Sequence, residues 1–216
     1  MTSIRLVSVN VGLPAVIGTR RGRPVRSGIV KRPVTGVETL KLSELNLEGD
    51  RQADLSVHGG PEKAVYAYAS EHLPAWRAEL ARPDVAPAFF GENLSTEGVI
   101  ESDVAIGDVW AWGDALLQVA QPRWPCFKLT MRSGVPDMAA RFRGSGRTGW
   151  YLRVLRGGEV PVAGPITVTE RHPAGVTILD AHHAALPGAA TEHVERVLSV
   201  ALLSPEWRRH ISPRVR

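Results

Sequence analysis

The one cysteine of this 216-residue chain, Cys126, lies in a segment whose residue types suit metal chemistry. It follows Pro122 and Pro125, which restrict the backbone, and it stands between the basic residues Arg123 and Lys128. Nearby positive charge favours thiolate, the form of cysteine that attacks electrophiles and binds soft metals. A buried, inert thiol is the common alternative, but the neighbours of Cys126 are basic and turn-forming where a core strand would be apolar.

A second candidate segment contains His58, Gly59 and Gly60. Paired glycines let the backbone approach a ligand closely, or present successive N–H groups to an anion. The alternative is a tight turn with an incidental histidine, which is the commoner meaning of this motif when it stands alone.

A third segment places Glu92 and Asn93 side by side after a glycine, with two hydroxyl residues just beyond. A carboxylate and an amide together could hydrogen-bond the edge of a heterocycle, which offers both donors and acceptors. The alternative is a capped turn, since Asn and Ser favour turns through local hydrogen bonds. Taken alone, this segment is more typical of such a turn.

Two other polar segments are weaker candidates. His182 and His183 are adjacent in a predicted helix, and neighbouring helical positions point about 100° apart, so we assign both to the surface. The run from Gly144 to Gly149 is glycine-rich and basic, but it lacks the lysine and the strand–helix context of a P-loop. It could contact an anion or lie over the site as a mobile loop.

A single cysteine excludes several kinds of site. It rules out an internal disulfide, a cysteine-ligated iron–sulfur cluster within the chain and a four-cysteine zinc site. Electrons, if the protein uses them, must therefore come from another molecule. The net charge of +4 fits an anionic ligand. It also fits nucleic acid, but no motif of interleaved aromatic and basic residues accompanies it, so we expect no nucleic-acid partner.

The distribution of apolar residues gives no sign of a membrane protein. No run approaches the roughly 20 consecutive apolar residues of a membrane-spanning helix. The first residues also lack the basic and apolar regions of a signal peptide. We therefore expect a cytoplasmic protein without membrane association.

The hydrophobic pattern up to residue 172 predicts mainly short strands. Alternating apolar residues predict strands over Ile4–Val11, Val65–Ala69, Trp150–Leu155 and Ile166–Arg171, and a hairpin within Val104–Ala120. Gly22 to Ser27 is predicted to be a basic loop, and Ser70 is predicted to cap a helix that ends at Leu80. So many strands and so few helices predict a mainly β barrel or sandwich.

Residues after Pro173 are predicted to form three short helices. Thr177 is a candidate cap for a helix through Leu186, and Thr191 is a candidate cap for a second. The third would begin at Ser204-Pro205, with proline at the first helical position. Three helices in about forty residues are too small to fold well alone, so we expect them to pack on the β domain.

Taken together, these segments resemble the MOSC family, named for the C-terminal domain of molybdenum cofactor sulfurase, and within it the bacterial YiiM-like subgroup. The residues that carry the resemblance, in order, are Leu47–Gln52, His58–Gly60, Gly91–Thr96, Gln121–Arg123 and Pro125–Cys126. The resemblance covers nearly the whole chain. It implies a MOSC-type β-barrel over residues 1–172 and a small C-terminal three-helix extension over residues 173–216.

The resemblance also implies a molybdopterin-type molybdenum cofactor and a reductase activity. Cys126 would be the metal ligand and the catalytic residue. The cofactor-binding residues would be His58, Gly59, Gly60, Glu92, Asn93, Arg123 and Lys128. Related members reduce N-hydroxylated compounds, such as hydroxylaminopurine bases, to amines, and an external flavoprotein reductase would supply the electrons.

Two other functions remain open from the sequence. Cys126 could carry a persulfide and transfer sulfur, as the family name suggests. Alternatively, the protein could carry the cofactor without catalysing a reaction. The residues name neither the physiological substrate nor the proton donor.

Overall fold

The computed structural model describes residues 3–54 and 59–215. Its strands are β1 (Ser3–Val11), β2 (Ala15–Arg20), β3 (Arg23–Ser27), β4 (Arg32–Pro33), β5 (Thr39–Leu42), β6 (Val65–Ala69), β7 (Leu94–Glu97), β8 (Val109–Trp112), β9 (Ala115–Pro122), β10 (Trp150–Arg156), β11 (Gly158–Pro161) and β12 (Pro165–Glu170). Its α-helices are α1 (Leu73–Leu80), α2 (Phe127–Ser133), α3 (Met138–Ser145), α4 (Ile178–Ala184), α5 (Thr191–Leu198) and α6 (Pro205–Ile211). Short 3₁₀ helices occupy Pro61–Lys63, Ser70–His72 and Ser212–Val215.

Seven strands close into a barrel. Around the wall the order is β12, β8, β9, β10, β6, β7 and β1, and β1 pairs with β12 to complete the circle. A closed barrel of seven strands needs at least one parallel pair, and here it is β6 with β7, whose connection contains α1. Closure leaves no free edge in the wall. The prediction of a mainly β barrel is confirmed.

The smaller strands form additions to the barrel. β2 and β3 make a separate hairpin, β5 pairs with β11, and β4 pairs with the end of β1. The turn between β2 and β3 consists of Arg21 and Gly22, both with positive φ (49° and 74°), as a tight two-residue hairpin requires. The predicted loop from Gly22 to Ser27 is therefore wrong: the turn is shorter than expected, and Arg23–Ser27 is a strand.

The core of the barrel continues into the C-terminal helices. Trp110 and Trp150 meet edge to face inside the barrel, with ring centroids 5.8 Å apart. The same apolar cluster includes Trp207 and Ile211 of α6. A second cluster beside the barrel is built around the stacked rings of Trp76 and Phe142. The C-terminal helices share the barrel's apolar cluster. The boundary predicted at residue 172 stays a prediction.

Helix caps explain where the C-terminal helices begin. The Thr177 side chain accepts a hydrogen bond from Asp180 N (3.0 Å), and the Asp180 carboxylate accepts one from Thr177 N (2.9 Å), so the predicted cap is confirmed. Ser204 caps α6 as predicted, by accepting from Trp207 N (3.0 Å). Thr191 does not cap α5, because it is already the first helical residue and Ala190 precedes it.

Two expectations about the helices nearer the N-terminus are wrong. Ser70 lies in a 3₁₀ turn rather than at an α-helix cap, and α1 begins only at Leu73, next to Pro74. Proline suits the first turn of a helix because it lacks the N–H that would have no partner there. Helices α2 and α3 were not predicted at all. Among the described residues, no helix has the length and apolar character needed to cross a bilayer.

Candidate functional site

A pocket opens where the end of β9 meets β6, β10 and the chain that follows β3. It holds about 670 Å³ of empty space, including the part that is open to solvent. The residues that line it are Ser27, Gly28, Ile29, Lys31, Arg51, Gln52, Ala53, Lys63, Tyr66, Gly91, Asn93, Arg123, Trp124, Cys126, Lys128 and Tyr151. Four of the predicted site residues therefore share one pocket: Asn93, Arg123, Cys126 and Lys128.

Cys126 lies in the pocket wall immediately before helix α2. It has an extended backbone (φ −125°, ψ 174°), and its carbonyl accepts from Leu129 N (3.0 Å) in the first turn of the helix. The residue is half-buried. The two prolines predicted to restrict this segment carry the chain from β9 to α2, so the thiol has a fixed position at the edge of the pocket.

Arg123 is buried beside the pocket and held by its surroundings. Its guanidinium donates a hydrogen bond to the carbonyl of Phe90, and its central carbon lies 4.6 Å from the ring centroid of Tyr66. The ring of Phe142 lies 5.5 Å away. A guanidinium fixed between aromatic rings keeps a defined direction for its remaining N–H groups, which suits recognition of phosphate or carboxylate.

Lys31 of the pocket wall forms a buried ion pair with Asp50, which is not itself a lining residue, and the sequence analysis did not assign either residue to a site. Asp50 also accepts from Gly12 N (2.8 Å) and from Asn93 Nδ2 (3.0 Å). Burial lowers the pKa of Lys31 below its usual range, although the charge of Asp50 opposes this shift. In the sequence, Lys31 stands beside Arg32, and Asp50 lies in the segment Leu47–Gln52 that carries the family resemblance.

Asn93 connects three parts of the fold. Its Nδ2 donates to Asn10 O (3.2 Å) and to Asp50 Oδ2 (3.0 Å), while its Oδ1 accepts from Tyr66 N (3.1 Å). Both amide hydrogens are therefore used within the protein. Only the Oδ1 atom of Asn93 can accept a further hydrogen bond from a ligand. The main role of Asn93 is therefore structural: it joins β1, β6 and the segment that contains Asp50.

Glu92 is completely buried and is not among the lining residues. Its Oε1 accepts from Ala88 N (2.6 Å) and Ser95 Oγ (2.9 Å), and its Oε2 accepts from Phe90 N (3.1 Å). Burial raises the pKa of this carboxyl above its usual range, against the effect of these hydrogen bonds. These contacts match the capped-turn interpretation, in which Glu92 shapes the chain that presents Gly91 to the pocket.

The glycine pair lies just outside the pocket wall. Gly60, with φ 93°, precedes the 3₁₀ turn, and Lys63 N donates to its carbonyl (3.0 Å). Lys63 itself lines the pocket, and its ammonium pairs with Glu206 of α6 at 2.6 Å. Neither Gly59 nor Gly60 lines the pocket. The predicted residue His58 lies outside the described residues.

Trp124 joins the pocket to the C-terminal helices. Its ring centroid lies 4.7 Å from that of His210, 5.7 Å from that of Trp207 and 6.0 Å from that of His182. His182 is fully buried, with Nε2 2.8 Å from Arg143 O, so its predicted place on the surface is wrong. The neighbouring His183 is exposed, as predicted.

The Gly144–Gly149 run is part of the structure around this pocket. Arg147 Nη2 donates to both carboxylate oxygens of Glu79 (2.8 and 2.7 Å), and Gly149 N donates to Glu101 Oε1 (2.7 Å). The hydroxyl of Tyr66 donates to Thr148 O (2.8 Å). The run is therefore held by the second apolar cluster and β6, and none of its residues lines the pocket.

Acidification is expected to weaken the packing of the C-terminal helices. Burial lowers the pKa of His182 below its usual value of about 6.5, so at mildly acidic pH the unfolded chain binds a proton that the folded chain does not. Its contribution to stability is complete above about pH 6.5 and is lost as the pH falls, by up to about 1.4 kcal/mol per pH unit.

Urea unfolding at pH 7.5, 6.5 and 5.5 measures this dependence. The variant His182→Gln should show a shallower decline than the wild type, while His183→Gln, on the exposed position of the same helix, should not differ from it. Equal pH slopes in the wild type and His182→Gln would contradict the role of His182.

The chemistry of the pocket wall limits what it can bind. Among the described residues, the lining side chains include five cations (Lys31, Arg51, Lys63, Arg123 and Lys128), one thiol and no carboxylate. Two of these cations are paired with carboxylates outside the lining, Lys31 with Asp50 and Lys63 with Glu206. Within the described ranges, no three His, Cys, Asp or Glu side chains come together as a metal site. Cationic side chains beside a thiol suit an anionic organic molecule.

Comparisons with known proteins identify relatives of this chain. The chain is 42% identical to Protein YiiM of Escherichia coli K12, over 89% of this chain and 85% of that one. It is 40% identical to the uncharacterized protein YflK of Bacillus subtilis 168, over 94% and 90% of the two chains. A protein of Gibberella moniliformis named "Reductase" is 38% identical over 68% of this chain, which corresponds to 29% of its own length.

Solved structures show the same fold. The crystal structure of YiiM from Geobacillus stearothermophilus superposes with a TM-score of 0.81 and 31% identity, and the match covers 99% of this chain and all of that one. The model of the MOSC domain matches residues 54–167, which include Asn93, Arg123 and Cys126. The chain therefore belongs to the MOSC family and is a YiiM-like member of it.

Proposed function

We propose that this pocket binds a molybdopterin-type molybdenum cofactor, with Cys126 as the protein ligand of the metal, and that the protein reduces N-hydroxylated compounds to amines. The observation that carries the proposal is a thiol beside the cations Arg123 and Lys128 in one pocket wall, with no carboxylate among its described lining residues. Membership of the MOSC family supports it, and so does the relative whose name is "Reductase".

In this proposal the residues of the wall divide the work of binding. Arg123, whose guanidinium is fixed against Tyr66, and Lys128 would bind the anionic groups of the cofactor. The sulfur of Cys126 would hold the metal at the pocket edge. Tyr151 and Trp124 offer aromatic faces on which a planar base can pack.

The reaction consumes two electrons and two protons. The N–O bond of the substrate breaks, the nitrogen leaves as an amine, and the oxygen leaves as water. The cofactor, when bound, supplies two-electron redox chemistry at the metal. The chain's own residues orient the substrate against the pocket wall, and the lysine ammonium and tyrosine hydroxyl groups of that wall are its proton-bearing groups.

The electrons come from an external flavoprotein reductase in this proposal, because the one cysteine of the chain cannot ligate an iron–sulfur cluster. The relative named "Reductase" shares only 29% of its length with this chain, which leaves room there for further domains. We also place the protein in the cytoplasm, where the environment keeps thiols reduced.

Metal and product analysis test the proposal. The protein is purified from a host that makes the cofactor, and we expect about one molybdenum and one pterin per chain. With methyl viologen as electron donor, N6-hydroxylaminopurine should be converted to adenine. Cofactor without turnover would favour a carrier, and a persulfide on Cys126 without molybdenum would favour a sulfur carrier.

A further inference from the structure

Positive charge is concentrated at one end of the sequence. The first 37 residues contain seven Arg and Lys residues and no Asp or Glu. In the rest of the chain, carboxylates outnumber basic side chains, so the net charge of +4 comes entirely from this segment. The segment therefore has a chemical character of its own.

Most of this charge lies on the hairpin of β2 and β3. Arg20, Arg21, Arg23 and Arg26 are all exposed on it. In residues 3–54 and 59–215, no carboxylate forms an ion pair with any of the four. Seven arginines elsewhere do form such pairs. Three of the hairpin arginines also line a shallow cleft at its tip, together with Pro24 and Val25.

The hairpin and the turn that leads into it also expose apolar side chains. Leu13 is 64% exposed and Val16 is 56% exposed, two of the four large apolar residues of the described chain that face solvent to this degree. Arginine is enriched at protein–protein interfaces, and exposed apolar side chains next to it offer area that a partner can bury. Residues 13–27 contain no aromatic ring on which a nucleic-acid base could stack, so the surface fits a protein better than a nucleic acid.

The hairpin also connects directly to the pocket. Ser27, at the end of β3, and the following Gly28 line the pocket wall. The Arg20 guanidinium lies 4.1 Å from the ring centroid of Phe127, the residue after Cys126. At Gly18 the hairpin passes so close to Met131 of α2 that a Cβ would lie 2.5 Å from the methionine methyl. A molecule bound on the hairpin is therefore beside the segment that contains the thiol.

We propose that the β2–β3 hairpin is the docking surface for an acidic, flavin-bearing face of the electron-donor protein. The inference rests on the proposed reductase function. It adds where on this chain the electron donor binds and the sign of the charge on the donor's binding face. Reduced flavin in the partner gives up two electrons and is oxidised to the quinone form, while the N–O bond of the substrate is cleaved. Opposite charges on the two faces accelerate their encounter, and salt weakens it.

Binding is tested first, with the unloaded chain, so that the result does not depend on activity. Flavodoxin, an acidic FMN protein, serves as the probe, and affinity is measured by calorimetry at 50 and 300 mM salt. Arg21→Glu/Arg23→Glu reverses charge at the hairpin turn, and Lys41→Glu/Arg209→Glu makes the same change at exposed positions outside the hairpin. We expect the hairpin variant to bind at least about tenfold more weakly than both the wild type and the control.

Turnover by the cofactor-loaded protein separates docking from chemistry. With methyl viologen, which needs no docking surface, the hairpin variant should match the wild type. With reduced flavodoxin its rate should fall about tenfold at low salt. Similar losses with both donors would overturn the inference, since the hairpin would then act on the pocket itself.

Other outcomes distinguish this inference from the proposed function. Absence of flavodoxin binding by the wild type at 50 mM salt would overturn the docking surface, as would equal binding by the hairpin variant. Tighter binding of a DNA or RNA oligonucleotide than of flavodoxin would also overturn it. A loaded wild type that reduces nothing with methyl viologen would reject the proposed function, whatever the binding result.

Discussion

Replacing Cys126 with serine is expected to remove molybdenum from the purified protein and to abolish its reductase activity. A serine hydroxyl is a hard, neutral oxygen that stays protonated near neutral pH, so it is a poor ligand for a metal that prefers sulfur. We expect the metal content and the rate to fall by about 100-fold or more. Mass-spectrometric metal analysis, given per chain, measures the first effect directly.

The fold of this variant should be preserved. Cys126 is half-buried and precedes α2, so the change from sulfur to oxygen creates no large cavity. The midpoint of thermal unfolding of the unloaded protein should therefore stay within a few degrees of the wild type. Full metal content in a well-folded Cys126→Ser would contradict the assignment of Cys126 as the metal ligand. The cofactor would then be held by the cations of the wall alone.

Local patterns in the sequence predicted the barrel strands well. Val65–Ala69 was predicted with the bounds that the structure has, because small apolar residues alternate there with Tyr66 and Tyr68. The hairpin of β8 and β9 was predicted from the turn at Gly113 and Asp114. The pairing of β5 with β11 was not, because short strands more than 100 residues apart leave no local pattern.

The helices beside the pocket were missed for a related reason. α2 begins directly after Pro125-Cys126 and has only seven residues, among them Lys128 and Arg132. Such a short segment gives little helical periodicity. The β2–β3 hairpin and α3 pack against α2 and determine which of its sides is buried. Local sequence patterns contain no information about these contacts.

The site could be predicted in part, where residue type alone limits the chemistry. Cys126 and Arg123 were found because a lone thiol among basic residues is uncommon in a core. Lys31 and Asp50 were missed because they come from distant segments and meet only in the folded chain. Glu92 shows the opposite problem: a buried carboxylate that caps a turn has the same sequence pattern as one that binds a ligand.

Changing Asn93 to aspartate is expected to cause a large loss of stability. The substitution keeps the size of the side chain but replaces its donating NH₂ group with oxygen, so Asn10 O and Asp50 Oδ2 lose their hydrogen bonds. It also places a second buried carboxylate beside Asp50, where Lys31 can neutralise only one charge. We expect the free energy of unfolding at pH 7 to fall by about 3–5 kcal/mol.

Two companion variants show whether charge is the cause. Asn93→Ala removes these two hydrogen bonds and also the one from Tyr66 N, but it adds no charge, so its loss should still be smaller, about 2–3 kcal/mol. The exchange Asp50→Asn/Asn93→Asp restores one carboxylate and one amide at this place, and it should recover part of the stability lost in Asn93→Asp. Urea unfolding at pH 7 measures all three. If Asn93→Asp were no less stable than Asn93→Ala, like-charge repulsion would play no part, and the hydrogen bonds of Asn93 alone would account for its effect.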